Sequence, residues 1–350
     1  RVSAQTQQQL IHSLTRPELG EILLSEFDQP AFRSKQLWDW LYVKRVSTWE
    51  QMPNIPKALR ERLSARFMLN PCTVVTARKS EEGTAKLLVG LRDGERVEEV
   101  LIPAEGRNTV CVSSQVGCKF KCAFCASGQS GFRRNLEAGE IVGQVLLAGK
   151  ELGASPGNVV FMGVGEPFDN YDQVLGAVRI LNDGDGFRIG ARKMTISTSG
   201  VVPGIQRLAG EGIQVELSVS LHAPNDRLRS ELMPVNARWP LGELIAACRN
   251  YVDATGRIIT FEYTLISGVN DSLADARELI GLIKGLPCRM NLIPLSPVEE
   301  YRGCAPERRA VDAFADMVTG AGVNATVRMS RGRGVDAACG QLRSSNDKRD

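Results

Sequence analysis

Cys118, Cys122 and Cys125 fall within eight residues, in Gly117-Cys118-Lys119-Phe120-Lys121-Cys122-Ala123-Phe124-Cys125. Thiolates are soft ligands that suit iron–sulfur clusters and zinc. A structural zinc takes four protein ligands, so zinc here would have to borrow Cys111, Cys339 or His222. Inert burial of all three on one short loop is the weakest reading. With no local fourth ligand, the loop suits a cluster that keeps one iron open.

The rest of the chain fits a reduced, cytoplasmic setting. Nine cysteines in 350 residues is an odd number, and their spacing is not that of a small disulfide scaffold. No apolar run reaches the roughly 18 residues of a membrane span. The polar start RVSAQTQQQL has no signal-peptide core. A hydrophobic share of 43% supports a large buried core, and a net charge of +3 permits a nucleic-acid partner without arguing for one.

Residues 1–84 read as a helical N-terminal domain with its linker. The spacing of Phe32, Gln36, Leu37, Trp40 and Leu41 is helical, and Pro53 and Pro56 precede a second helix over 57–67. Trp38, Trp40 and Trp49 are expected to fill this small domain's core, with stacking on RNA as the sharper alternative. Asp93-Gly94 between two apolar runs predicts a β-hairpin extension over 85–104. From 105 to 343, strands alternate with helices, beginning with one strand over 109–116 and ending with one over 324–329. That alternation predicts an α/β fold, a partial (β/α)6 TIM-like barrel with its chemistry at the C-terminal strand ends. The tail 344–350 is expected to be disordered.

The Cys-x3-Cys-x2-Cys spacing after the first barrel strand resembles the radical S-adenosylmethionine (SAM) superfamily. The longer stretch CVSSQVGCKFKCAFCASGQSGFRRNL resembles the RNA adenosine methyltransferases of the RlmN family, to which Cfr is related. The likeness continues through Met162–Pro167, Ser197–Pro203, Ser220–Asp226 and Asp336–Leu342. PAFRSKQLWDWLY at 30–42 resembles the family's N-terminal accessory domain.

The resemblance implies a [4Fe–4S] cluster on Cys118, Cys122 and Cys125, and two SAM molecules per turnover. Gly165, Glu166, Ser197, Ser220, Leu221, His222 and Ser296 would form the SAM site, with Gly165 letting the backbone approach the ligand. Ser296 stands where the family has Asn, a departure that shortens the side chain's reach. An adenine ring carbon is a poor nucleophile, so the resemblance implies a detour. Cys339 takes a methyl group from one SAM, a radical made from a second SAM activates that methyl, and the carbon radical adds to adenine. Cys111 then attacks the Cys339 sulfur and frees the product through a transient disulfide, while Glu98 accepts a proton. In a closed barrel the first and last strands are neighbours, which would bring Cys111 and Cys339 together.

The substrate implied is 23S rRNA, and tRNA beside the anticodon, methylated at adenosine carbon 2. Glu166-Pro167 and Thr198-Ser199-Gly200 resemble RlmN rather than the carbon-8 enzyme Cfr. A non-catalytic RNA-binding chain and a zinc-stabilised module are the readings from other classes. Lys119, Lys121, Arg133 and Arg134 around the loop, with Arg328, Arg331 and Arg333 before Cys339, offer phosphate contacts. Gly332 and Gly334 suggest a mobile loop around Cys339. A flavodoxin-like electron donor, a monomeric state and no membrane partner complete the expectation.

Overall fold

The computed structural model describes residues 8–328 and 332–343. The expected disordered tail, Met329 and Arg331 lie outside these. Ten strands form one sheet: β1 (Cys72–Lys79), β2 (Ala85–Leu91), β3 (Arg96–Ala104), β4 (Arg107–Cys111), β5 (Asn158–Phe161), β6 (Met194–Thr198), β7 (Glu216–Ser220), β8 (Ile259–Leu265), β9 (Cys288–Pro294) and β10 (Asn324–Val327). They lie side by side in chain order. Pairing is antiparallel from β1 to β4 and parallel from β4 to β10.

Helices connect the parallel strands, at Ala138–Leu152, Tyr171–Asn182, Val202–Ala209, Leu241–Thr255, Leu273–Ile283 and Arg308–Gly320. The result is the partial (β/α)6 barrel with a seventh parallel strand. Local chemistry sets the helix ends. Glu137 caps Ala138–Leu152 through a capping box with Glu140, and Gly153 closes it at φ +63°.

Two differences from the sequence reading have physical causes. The stretch 109–116 is not one strand: β4 ends at Cys111, and Gln115–Gly117 turns away to pair with Phe132–Asn135 as a separate ribbon. The region before the hairpin is also not wholly helical. After helices Arg16–Ser25, Phe32–Trp38 and Lys57–Arg66, β1 pairs with β2. Its alternation was masked by exposure on nearly every residue, as an edge strand allows. Trp38 is buried, but its indole N–H reaches Asp183 across the junction with the barrel, so it joins the helical region to the barrel rather than filling a core of its own.

The sheet is not closed by strand pairing, and β4 lies between β3 and β5, not beside β10. What crosses the opening is the C-terminal segment 332–343. Lys86 Nζ bonds to the Asp336 carbonyl (3.2 Å), and the Ala126 amide to that of Gly340 (2.7 Å). Ser127 Oγ bonds to the Leu342 carbonyl (2.6 Å), and Gln341 Nε2 to that of Pro297 (2.8 Å). Ala337 and Leu342 pack on Val100, Cys111 and Val164. Gly332, read from sequence as a source of mobility, is buried: a Cβ there would lie 2.8 Å from the Ala337 Cβ and 2.9 Å from Thr84. This segment is a strap.

Leu342→Ala should loosen the strap by about 2–5 kcal/mol. Hydrogen exchange should then quicken across 335–343 while β5–β8 exchange as before.

Candidate functional site at the barrel mouth

The cysteine loop is anchored at three places. Gly117 (φ +74°) sits so close to the facing ribbon strand that a Cβ would lie 1.6 Å from the Gly131 oxygen. The Cys118 amide bonds to that oxygen (3.1 Å). The Ala123 amide reaches the Leu232 carbonyl (2.9 Å), and Ala126 is tied to the strap as above. Burial raises the Cys118 thiol to about 12. It raises Cys122 further, with Cys125 and Cys118 adding to the effect. Cys118 and Cys122, buried and close to further thiols, stay protonated unless a cationic group arrives, and iron is such a group. Among the described residues, no three His, Cys, Asp or Glu side chains converge as ligands of one ion do. A four-iron cube takes each thiolate at a different iron, so this donor set fits a cluster.

The strand ends opposite the loop carry the expected SAM residues. Glu166 is buried, and both its oxygens accept backbone N–H groups: Oε1 from Phe168 (3.0 Å) and Oε2 from Ser199 (2.7 Å). Burial raises its pKa against these bonds. Gly165 has φ +108°, and the atoms a Cβ would strike belong to Gln115, so its glycine answers a crowded backbone rather than a ligand. Ser197 lies in β6 and Ser220 ends β7. Leu221 is wholly buried in the core. Ser296, just beyond β9, is 4% exposed.

His222 has φ +55°, and its Nδ1 accepts the Thr264 N–H (2.9 Å). Its ring meets Phe124 edge-on at 4.9 Å. Burial and then Arg229 push its pKa down to about 3, so it is neutral. Its role is to hold the cysteine loop against β8, not to move protons.

Arg229 is a residue that the sequence reading missed. It is 0% exposed. Its guanidinium bonds to the carbonyls of Ser199 (2.7 Å), Ser220 (3.1 Å) and Leu221 (3.2 Å) and to Asn236 Oδ1 (2.9 Å). Its charge is felt at Cys122. One arginine thus ties the ends of β6 and β7 beside the cluster loop. The available signal was an arginine between two core leucines, Leu228 and Leu232, on one short helix.

The structure brings Cys111 and Cys339 together. Cys111 is buried at the end of β4, and burial followed by the Cys339 thiol raises its pKa. Cys339 is exposed at its surface, and desolvation by the surrounding protein raises its pKa; Glu262, Arg328 and Cys125 also act on it. Glu98 shares a sheet face with Val100, which pairs with Cys111. Glu98 Oε1 pairs with Lys86 Nζ (3.0 Å), and Oε2 accepts the Arg343 amide (2.8 Å). Glu99 lies on the opposite face of the strand, fully buried and without a hydrogen bond to either oxygen among the described residues; burial raises its pKa, and its charge acts on both Cys72 and Cys111. Of the two neighbouring glutamates, Glu98 is the one that shares a sheet face with Cys111.

The basic residues around the loop are not a bare phosphate-binding patch. Lys119 pairs with Asp169, Arg133 with Glu95, and Arg134 with Asp93 and Glu140. These three charges are offset by carboxylates, which weakens the electrostatic case for RNA there, whereas Lys121 has no ion pair among the described residues.

A barrel mouth bearing this cysteine loop defines a radical SAM enzyme, and residues 112–280 match the model of the Radical SAM superfamily. Residues 11–69 match the ribosomal RNA large subunit methyltransferase N-terminal domain. Two similar curated proteins are each named probable dual-specificity RNA methyltransferase RlmN. The one from Geobacillus thermodenitrificans is 45% identical, over 97% of this chain and 93% of its own. The one from Halalkalibacterium halodurans is 47% identical, over 97% and 94%. The crystal structure of a radical SAM methyltransferase from Sphaerobacter thermophilus superposes with a TM-score of 0.93 at 48% identity, covering 96% of this chain and all of that one. The chain belongs to the RlmN family. It is a radical SAM methyltransferase that uses a [4Fe–4S] cluster and SAM.

Arg229→Lys keeps a charge but not four directed bonds. It should lower the melting temperature and reduce iron bound per chain, measured by calorimetry and iron analysis. His222 sets a pH dependence of stability. Its folded pKa lies below the unfolded value of 6.5, so protons favour the unfolded chain from pH 6.5 down to about 3. His222→Asn removes this group while tolerating positive φ. The stability of the wild type relative to this variant should fall by up to about 1.4 kcal/mol per pH unit between roughly pH 6 and 4, read from urea midpoints.

Proposed function

We propose that this chain methylates carbon 2 of an adenosine in 23S rRNA, and in tRNA beside the anticodon, through an S-methylcysteine and a transient disulfide. What supports the reading is that the strap carrying Cys339 packs on Cys111 through Ala337 and Leu342 and is tied to the cysteine loop at Ala126. An ordinary methyltransferase has no use for two further thiols there.

Cys118, Cys122 and Cys125 hold the cluster. Gly165, Glu166, Ser197, Ser220, Leu221, His222 and Ser296 shape the SAM site, Leu221 by its backbone and His222 by fixing the loop. The bound cluster and SAM supply a methyl group and a carbon-centred radical. Cys339 carries the methyl group to the adenine from a strap that reaches over the mouth. Cys111, deeper and protonated at rest, attacks the Cys339 sulfur and releases the product. Glu98 accepts the proton lost from the ring carbon, and Lys86 Nζ, 3.0 Å from its Oε1, holds that carboxylate in place.

The helical region 1–84 serves as an accessory domain, 85–104 as an extension that supplies Glu98, and 105–343 as the catalytic core. A flavodoxin-like protein donates electrons to a monomeric, cytoplasmic enzyme. Among the described residues no helix is long and apolar enough to cross a membrane.

Cys111→Ala expressed in cells should accumulate RNA covalently joined to Cys339, detected by mass spectrometry of the linked peptide. Release of normal product by that variant would remove Cys111 from the scheme. Nucleoside analysis of RNA from the wild type should give 2-methyladenosine; 8-methyladenosine would move the chain to the Cfr reaction.

A further inference from the structure

An adenosine that is methylated on its ring must leave the base stack to enter a barrel mouth, and the base beside it then loses a stacking partner. Proteins hold such unstacked RNA by aromatic side chains that replace the partner and by contacts to phosphate. Three of the four basic side chains around the cysteine loop, Lys119, Arg133 and Arg134, are already paired with carboxylates, which leaves less charge for phosphate.

Phe132 supplies the other kind of contact. It is 40% exposed, one of two aromatic rings among the exposed large apolar side chains of the described residues. The other, Phe32, belongs to the helical region 1–84. The backbone on either side of Phe132 is held firmly. The carbonyl of Gly131, the residue before it, accepts the Cys118 amide (3.1 Å), so the ring stands one residue from an anchor of the cysteine loop. Phe132 itself pairs with Gly117 in the ribbon. Arg133 and Arg134, the residues after it, bind Glu95 (2.7 Å) and Asp93 (2.6 Å) at the turn between β2 and β3. β3 runs antiparallel to β4 with Val100 opposite Cys111. The turn therefore projects past the C-terminal end of β4, on the mouth side, and Phe132 is part of the rim. Lys119 Nζ lies over its ring, 5.7 Å from the centroid, and 6.0 Å from that of Phe120. An exposed ring on so fixed a support loses little entropy when a partner stacks on it.

We propose that Phe132 is the platform on which the nucleobase beside the extruded adenosine stacks. The inference rests on the RNA methyltransferase reading above, and names what this rim takes: an unpaired base of any identity. Stacking requires only a π face and tolerates any sequence. One ring therefore serves both a ribosomal and a transfer RNA, whatever base flanks the target.

The test measures binding of a 23S rRNA fragment and a tRNA anticodon stem-loop to the cluster-loaded enzyme. Phe132→Ala should weaken both by roughly 5–150-fold, the range for one lost base–aromatic stack. The salt dependence of binding should keep its slope, because no charge is removed. Phe132→Trp should bind at least as tightly as the wild type. Phe132→Leu, apolar but without a π face, should bind like the alanine variant. Unweakened binding in Phe132→Ala, a shallower salt slope, or full rescue by leucine would each overturn the stack. Iron bound per chain reports whether the cysteine loop is intact; should Phe132→Ala lose iron, the leucine and tryptophan variants make the comparison. If an acidic electron-transfer protein docks on this rim instead, Phe132→Ala will keep its RNA affinity and lose reduction by flavodoxin but not by dithionite, and the proposal falls. A wild type that gives no methyladenosine in either RNA removes the underlying reading; one that does, beside a Phe132→Ala variant of equal affinity, removes the stack alone.

Discussion

The buried pairing of Lys86 with Glu98, roofed by the Arg343 amide, is the constraint on which the site depends. A buried charge is costly unless it is paired and hydrogen-bonded. Here each side chain partners the other, and each also grips the C-terminal strap: Lys86 through the Asp336 carbonyl, Glu98 through the Arg343 amide. An open sheet would leave Cys111 facing solvent. The strap covers it with Ala337 and Leu342, the residues that bracket Cys339 in the chain.

Around this point the mouth is organised by a few charges removed from water. Arg229 satisfies carbonyls at the ends of β6 and β7, where the strands stop pairing and their backbone groups need partners. Glu166 does the converse for amides across the gap from β5 to β6. Glu262 sits between two neutral donors with one oxygen uncommitted. The SAM side of the mouth is therefore rigid before any ligand arrives, as a site built for oriented chemistry requires.

Much of the fold was legible because its signals are local. The helices Tyr171–Asn182 and Leu273–Ile283 carry helical periodicity and sit where it predicts. β1 was not legible, since an edge strand buries little and so shows no alternation. The break between β4 and the ribbon was hidden too: an unbroken apolar run looks the same whether or not the chain turns within it.

The sequence by itself determined the cysteine loop, the family and the list of thiols, because contiguous motifs require no knowledge of what lies opposite. Only the tertiary structure decided that Glu98 rather than Glu99 shares a sheet face with Cys111, that a strap rather than a neighbouring strand covers that thiol, and that Arg229 ties the ends of β6 and β7. The physical reason is that burial and partnership are long-range. A charged residue in an apolar stretch reads as an oddity until the fold supplies the carbonyls, amides and thiols that make its burial affordable.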